Sequence, residues 1–208
     1  MKLLFATGNK GKLREAGGIL GENIEIVSPA ELGISGDVEE TGTTLLENSR
    51  LKAQTLHAAS GLDCFADDTG LEVDALGGEP GVHTARYAGE EHDNQANMDK
   101  LLRNLDALGP DIPRTARFRT VVTLILEGKE YIFNGTLEGK IAFEKAGCGG
   151  FGYDPVFIAD AYPGLTLAEI SDERKNAISH RGMALRSMAT FLSKYKSCPL
   201  GADGLQDK

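Results

Sequence analysis

The chain has 208 residues, 41% apolar and 25% charged, the balance of an ordinary soluble globular protein with room for one substantial core. A net charge of −9 argues against nonspecific binding to nucleic acid or to an anionic membrane, so any polyanionic ligand must be met by a local basic pocket or through a metal. Three scattered cysteines, Cys64, Cys148 and Cys198, make no CxxC pair, which argues against a disulfide framework or a zinc site and fits a reducing compartment.

Taken in chain order, Lys2 to Ala6 reads as a short buried strand and Thr7-Gly8-Asn9 as a turn. Lys10 to Leu20 is helical in pattern, with Leu13, Ala16, Ile19 and Leu20 on one face, and Ile24 to Val27 forms a second strand. This strand–turn–helix–strand opening is typical of α/β architecture. Residues 33 to 43 are polar and glycine-rich, an exposed loop. Thr44 to Ala59 is a helix with Leu45, Leu46, Leu51, Ala53, Leu56 and Ala59 apolar. Asp93 is placed to cap a helix running to about Leu105. Ala116 to Leu126 and Tyr131 to Leu137 are β-rich and flank a hairpin signal at 127–130, so the sheet is mixed. A last helix covers Gly182 to Lys194, and the chain from Ser197 onward reads as a frayed tail. With no signal peptide and no apolar run of membrane length, the expected location is the cytoplasm.

Five constellations could carry chemistry. Cys64-Phe65-Ala66 runs into paired acids, Asp67 and Asp68, with Glu72 and Asp74 following and a Gly/Pro-dense loop closing on Arg86. Carboxylates at the end of a buried strand are a way to hold a hard cation such as Mg²⁺, and a nearby arginine points to phosphate. A solvated acidic turn is the bland alternative. Thr7-Gly8-Asn9-Lys10-Gly11-Lys12 lies between a strand and a helix, where backbone N–H groups bind anions. It is neither a Walker A loop nor a dinucleotide fingerprint, and a plain strand-to-helix turn would read the same way. Glu39-Glu40-Thr41-Gly42 precedes a helix on which Asn48 and Lys52 share a face. Gly149-Gly150-Phe151-Gly152-Tyr153-Asp154-Pro155 interleaves aromatics with glycine, either to stack a base or to make a tight turn over core aromatics. Lys175 and Ser179-His180-Arg181 gather donors just before the last helix, able to read a heterocycle edge or pair with phosphate, or simply to cap the helix. His57, His83 and His92 show no metal-ligand spacing and receive no chemistry. The ensemble describes a nucleotide handled with Mg²⁺.

With these motifs in order, from TGNKGK at 7–12 to SHRGMAL at 179–185, the chain resembles the Ham1-like inosine triphosphate pyrophosphatases. The resemblance spans nearly the whole length and leaves out only the tail after about Lys196. It implies an α/β fold with an elongated mixed β-sheet flanked by helices, as a single ITPase-like domain over 1–196 whose two lobes enclose an active-site cleft. It leaves 197–208 as a disordered tail. It implies Mg²⁺-dependent hydrolysis of ITP, dITP and XTP-type nucleotides to the monophosphate and pyrophosphate, and a homodimer. By position, Thr7 through Lys12 would cradle the triphosphate, and Glu40 and Asp68 would hold the metal with Asp67 beside them. Asp68 would accept the proton of the attacking water, Lys52 would neutralise phosphate charge, and Thr69 would touch substrate. Phe151, Gly152, Tyr153, Asp154, Lys175, His180 and Arg181 would form the nucleobase pocket. Position 69 is often Ser in this family, and Thr69 keeps the hydroxyl; position 83 often carries Tyr, where this chain has His83.

Two rival readings are a catalytically silent nucleotide sensor using the same pocket and a broader triphosphatase acting on modified pyrimidines or releasing phosphate stepwise. The paired acids at 67 and 68 argue against the sensor, which has no need of a water-activating carboxylate.

Overall fold

A computed structural model of the chain describes all residues except 22–23, 35–37, 90 and 198–208. The tail expected to be disordered therefore lies, from residue 198, outside the described residues. In chain order the elements are β1 (Lys2–Phe5), α1 (Lys10–Leu20), β2 (Glu25–Val27), α2 (Leu45–Ser60), β3 (Cys64–Val73), β4 (Pro80–Gly81) and α3 (Asn94–Asp106). They continue with β5 (Thr115–Leu126), β6 (Lys129–Ile141), β7 (Phe157–Ala159), α4 (Asp172–Ile178) and α5 (His180–Ser197). One mixed sheet runs β2-β1-β3-β5-β6-β7, with β4 against β3. β1 is parallel to β2 and β3; the remaining pairs are antiparallel. The mixed α/β sheet expected from the sequence is present.

Alternation along the strands sorts the core onto two faces. Leu3, Phe5, Phe65, Val122 and Leu124 pack with Ala16 and Leu20 of α1 and with Ala184, Leu185, Met188 and Leu192 of α5. Leu4, Val27, Cys64, Ala66 and Ile125 pack under Ala53 and Leu56 of α2. Farther along the long strands a second core gathers Leu71, Val73, Met98, Leu101, Leu105, Phe118, Ile141, Tyr153 and Phe157. β3 and β5 thus serve two cores in succession.

Local chemistry sets the element ends. Asn9 caps α1, its Oδ1 accepting the N–H groups of Gly11 and Lys12. Thr44 and Glu47 form a capping box on α2, and Asp93 caps α3 as its sequence position predicts. The long hairpin turns on two residues, Glu127 and Gly128, both at positive φ (51° and 74°), the geometry whose twist matches paired strands. The first turn of α5 lies directly on β6, because a Cβ at Gly135 would collide with His180 O and Ala184 N.

Three features differ from the sequence expectation. α4 leaves no helical signal in the sequence, since seven residues are too short to show periodicity; it precedes α5, which starts at His180 rather than Gly182. β7 is three residues long and equally silent in sequence. β3 runs on through Val73, so the paired acids sit inside a strand rather than at its end.

Candidate active site

The site follows from an interruption in the sheet. β1 pairs with β3 only at Leu4–Cys64 and Phe5–Phe65, and β4 pairs with it only at Leu71–Gly81 and Glu72–Pro80. Between these, among the described residues, no strand covers that edge of β3 from Ala66 to Gly70. Asp67, Asp68 and Thr69 lie in this gap, just beyond the carboxyl end of β1, where open α/β sheets bind ligands.

Because successive side chains of a strand face opposite ways, the two aspartates meet different elements. Asp67 shares the face of Phe65, over which α1 and α5 lie. The residue is 2% exposed, and its carboxylate accepts from Lys12 Nζ at 2.9 Å and from Arg181 Nε at 3.0 Å. Asp68 shares the face of Ala66, under α2, and its Oδ1 accepts from Lys52 Nζ at 3.0 Å. Lys52 also donates to Glu40 Oε1 at 3.0 Å, so one ammonium bridges two carboxylates. Arg181 Nη1 donates to Glu15 Oε2 at 3.1 Å.

These environments drive the aspartates apart. Burial would raise the pKa of Asp67, but Lys12, Arg181 and Lys52 outweigh it and hold the carboxyl well below its usual range. Burial dominates at Asp68; the pull of Lys52 does not cancel it, Glu40 and Asp67 add to it, and the pKa is raised. Burial also works against charge on Lys52, yet Asp68, Asp67 and Glu40 together keep its pKa above the ordinary lysine value. Adjacent acids with opposed shifts are the arrangement that separates an electrostatic role from a proton-accepting one. Asp68 Oδ2 is buried and has no hydrogen-bond partner.

Two adjoining cavities of about 520 and 640 Å³ open over this gap and share Lys12, Val38, Glu39, Glu40 and Lys52. The first is completed by Ala6, Thr7, Gly8 and Asp67. The second is completed by Asp68, Thr69, Val82, Ala85, Arg86 and His92. Together they would hold a chain of phosphates.

The sequence-predicted residues fall into three groups. Thr7, Gly8, Lys12, Glu40, Lys52, Asp67, Asp68, Thr69 and Arg86 all line the cleft. Within 7–12, Asn9 spends its side chain on the cap, and the N–H groups of Gly11 and Lys12 are taken by it. The loop therefore offers the cleft its Thr7–Gly8 segment and the Lys12 ammonium more than a ring of free amides; Lys10 and Gly11 open the helix itself. The proposed base-reading residues stand off both cavities. Phe151 is 81% exposed. Buried Tyr153 donates its hydroxyl to Thr84 O at 2.9 Å. Asp154 Oδ2 accepts from Phe151 N at 2.8 Å and from Lys175 Nζ at 3.2 Å, and Gly152 turns the loop at φ 65°. His180 stacks on Phe118 with centroids 5.1 Å apart. Burial, reinforced by Arg181, pushes its pKa down to about 3. Arg181 joins this group to the cleft, through Asp67.

Glu72 and Asp74 do not join the acidic centre. Arg117 pairs with Asp74 at 2.9 Å and lies 3.9 Å from Glu72, a surface network beyond the gap. Sequence reasoning missed Glu15, which shares Arg181, and His92, which lines the second cavity. Neither position carries a motif. It also missed Thr120, whose hydroxyl lies 2.7 Å from that of Thr69 across the β3–β5 pair; register would have found it had the pairing been known.

Residues 3–191 match the model of the Ham1 family. The chain is 50% identical over 191 residues to a dITP/XTP pyrophosphatase of Porphyromonas gingivalis, covering 92% of this chain and 97% of that one. It is 46% identical over 194 residues to a protein of the same name from Christiangramia forsetii, covering 93% of this chain and all of the relative. The solved structure of a HAM1 protein from Coxiella burnetii superposes with a TM-score of 0.88 at 37% identity, over 93% of this chain and 99% of that one. Family model, relatives and fold agree, and the chain belongs to the Ham1 family.

Proposed function

We propose that the chain is a nucleoside triphosphate pyrophosphatase that hydrolyses ITP, dITP, XTP and dXTP to the monophosphate and pyrophosphate. The observation that carries this reading is Asp68: a buried carboxylate of raised pKa, with one oxygen on Lys52 and the other unpartnered, facing a cleft lined by cations. A sensor would have no use for such a group. The relatives' names agree with the reaction.

Lys12, Lys52 and Arg86, which line the cleft, meet the phosphates, and Thr7, Gly8 and Thr69 pack against them. Water attacks the α-phosphorus. Its proton passes to Asp68, the new P–O bond forms, and the bond from α-phosphorus to the bridging oxygen breaks, its electron pair leaving with pyrophosphate. Asp67 is the weaker candidate for this transfer, since Lys12 and Arg181 occupy its carboxylate. Lys12 and Lys52 offset the charge that builds on the leaving group.

The donor set fits Mg²⁺. Among the described residues no cluster of three or more His, Cys, Asp or Glu could cage a metal. The carboxylates of Asp68 and Glu40 flank Lys52, and Asp68 keeps a second oxygen without a partner; Mg²⁺ characteristically takes one or two carboxylates and completes its shell with phosphate and water. When bound there, Mg²⁺ would supply Lewis-acid polarisation of the phosphoryl oxygens.

Phe151 would stack on the base, over the turn of Gly152, Tyr153 and Asp154, while Lys175, His180 and Arg181 read its edge. Donors at that edge favour the 6-oxo group of hypoxanthine or xanthine and leave the amino group of adenine unpaired, a difference worth up to about 10⁴-fold. The same reading places the enzyme in the cytoplasm as a homodimer. Among the described residues no helix is long and apolar enough to cross a membrane.

The test is incubation of the purified protein with ITP, XTP, GTP and ATP, with Mg²⁺ and with chelator, scoring monophosphate, pyrophosphate and orthophosphate. Metal-dependent pyrophosphate release from ITP and XTP, with little from ATP or GTP, is the expected result. Orthophosphate as the first product would transfer the chain to the stepwise triphosphatases, and no turnover would return the sensor reading.

A further inference from the structure

Asn48 is 0% exposed, one turn before Lys52 on α2, and no step above uses it. Its Oδ1 accepts the Gly42 N–H at 2.8 Å. A Cβ on Gly42 would come within 2.6 Å of that oxygen, 2.7 Å of Glu47 Cβ and 2.9 Å of Asn48 N. The segment entering α2 is thus seated on the helix's first turn with space for glycine alone. Glu47 extends the seat, its carboxylate accepting the N–H and hydroxyl of Thr43 and the N–H of Thr44.

The helix does not need Asn48 for its own start, because Thr44 and Glu47 already make a complete capping box. The Nδ2 of Asn48 is buried without a partner. A buried donor left unpaired is unfavourable, and an apolar side chain would avoid it. What the amide gives in return is its oxygen on Gly42. Two residues upstream is Glu40, whose carboxylate meets Lys52, and two residues of chain span at most about 7 Å. Anchoring Gly42 therefore confines Glu40.

We propose that Asn48 is a positioning residue for the reaction: it latches residues 38–42 onto α2 and so sets Glu40 against Lys52 and the cleft. The inference rests on the reading above that Glu40 serves turnover.

The test is a double-mutant cycle on ITP hydrolysis with Mg²⁺, using wild type, Asn48→Ala, Glu40→Ala and the double variant, together with backbone hydrogen exchange. Asn48→Ala lowers kcat about 10- to 100-fold, the range expected when a site group is displaced by an ångström, and costs nothing further in the Glu40→Ala background. Exchange rises in 38–44 and stays unchanged in the later turns of α2. Additive penalties, or exchange rising along the whole helix, would overturn the latch in favour of a purely structural role. Should Asn48→Ala fail to fold, Gly42→Ala breaks the same seat from the loop side and enters the same cycle. Absence of turnover in wild type would defeat the proposed function instead, while the exchange measurement would still decide the latch.

Discussion

Lys12 and Arg181 meet on a single carboxylate, that of Asp67, at 2.9 and 3.0 Å. One comes from the first helix and the other from the last, so the cleft is drawn together from both ends of the chain by a buried acid that need not react. Asp68, next in sequence, faces the other side of the sheet and a different cation.

That division predicts different outcomes for two neighbouring substitutions. Asp68→Asn should lower kcat by about 10²- to 10⁴-fold, the usual contribution of a positioned proton acceptor, with nucleotide binding retained by calorimetry. Asp67→Asn should act on stability first, since it leaves two half-buried cations facing a neutral amide. A loss of about 2–3 kcal/mol, or roughly 4–12 °C in Tm, is expected. A variant at 68 that turns over normally would remove Asp68 from the mechanism.

Arg181→Ala should reduce the ratio of kcat/KM for ITP over ATP by more than tenfold, because a guanidinium at the 6-oxo edge is the sort of contact that discriminates. Folding should suffer less than in Asp67→Asn, since Lys12 still neutralises the acid. An unchanged ratio would move base reading to Lys175 or to backbone donors.

His180 makes a pH prediction. Its pKa is about 3 in the folded protein, against about 6.5 for an unfolded chain. The folded state holds the ring neutral, and the unfolded state takes up the extra proton between those values. Stability from this group is fully present above about pH 6.5 and is lost progressively as the pH falls toward 3. Urea midpoints measured at pH 7.5, 5.5 and 4.5 should decline, and His180→Phe, able to keep the stack on Phe118, should decline less. Parallel declines in the two proteins would assign the acid sensitivity elsewhere.

Gly70 tests the architecture of the gap. A Cβ there would lie 2.5 Å from Gly81 O and 3.1 Å from Leu45 Cδ2, so Gly70→Ala must push β4 or α2 outward. Overpacking of this kind costs about 1–3 kcal/mol. The Tm should fall by roughly 2–12 °C, measurable by calorimetry, with ITP turnover reduced because Thr69 is adjacent.

Much of the fold could be read from the sequence because its elements are long and patterned. α1, α2 and α3 announce themselves by apolar spacing and by Asn9, Thr44 and Asp93 at their starts. The β5–β6 hairpin announces itself by two β-rich runs around a glycine turn. α4, β7 and the extension of β3 past its acids were not legible, since short elements take their shape from what they pack against. Of the motif residues, Thr7, Gly8, Lys12, Glu40, Lys52, Asp67, Asp68, Thr69 and Arg86 line the cleft while Phe151 to Asp154, Lys175 and His180 stand off it, and Glu15 and Thr120 act through pairings that only the assembled sheet and helices create. Glu72 and Asp74 carried the same local signal as Asp67 and Asp68; what separates them is Arg117, brought to Asp74 from the neighbouring strand.

Gly135 sets the height at which α5 rides above the sheet, for the helix's first turn rests on bare backbone there. Any side chain would act as a wedge beneath the residues that carry His180 and Arg181. The reach of the guanidinium to Asp67 thus depends on a backbone contact at a residue that lines neither cavity. Under the proposed reading of Arg181, fidelity toward the base depends on a glycine with no place in the cleft.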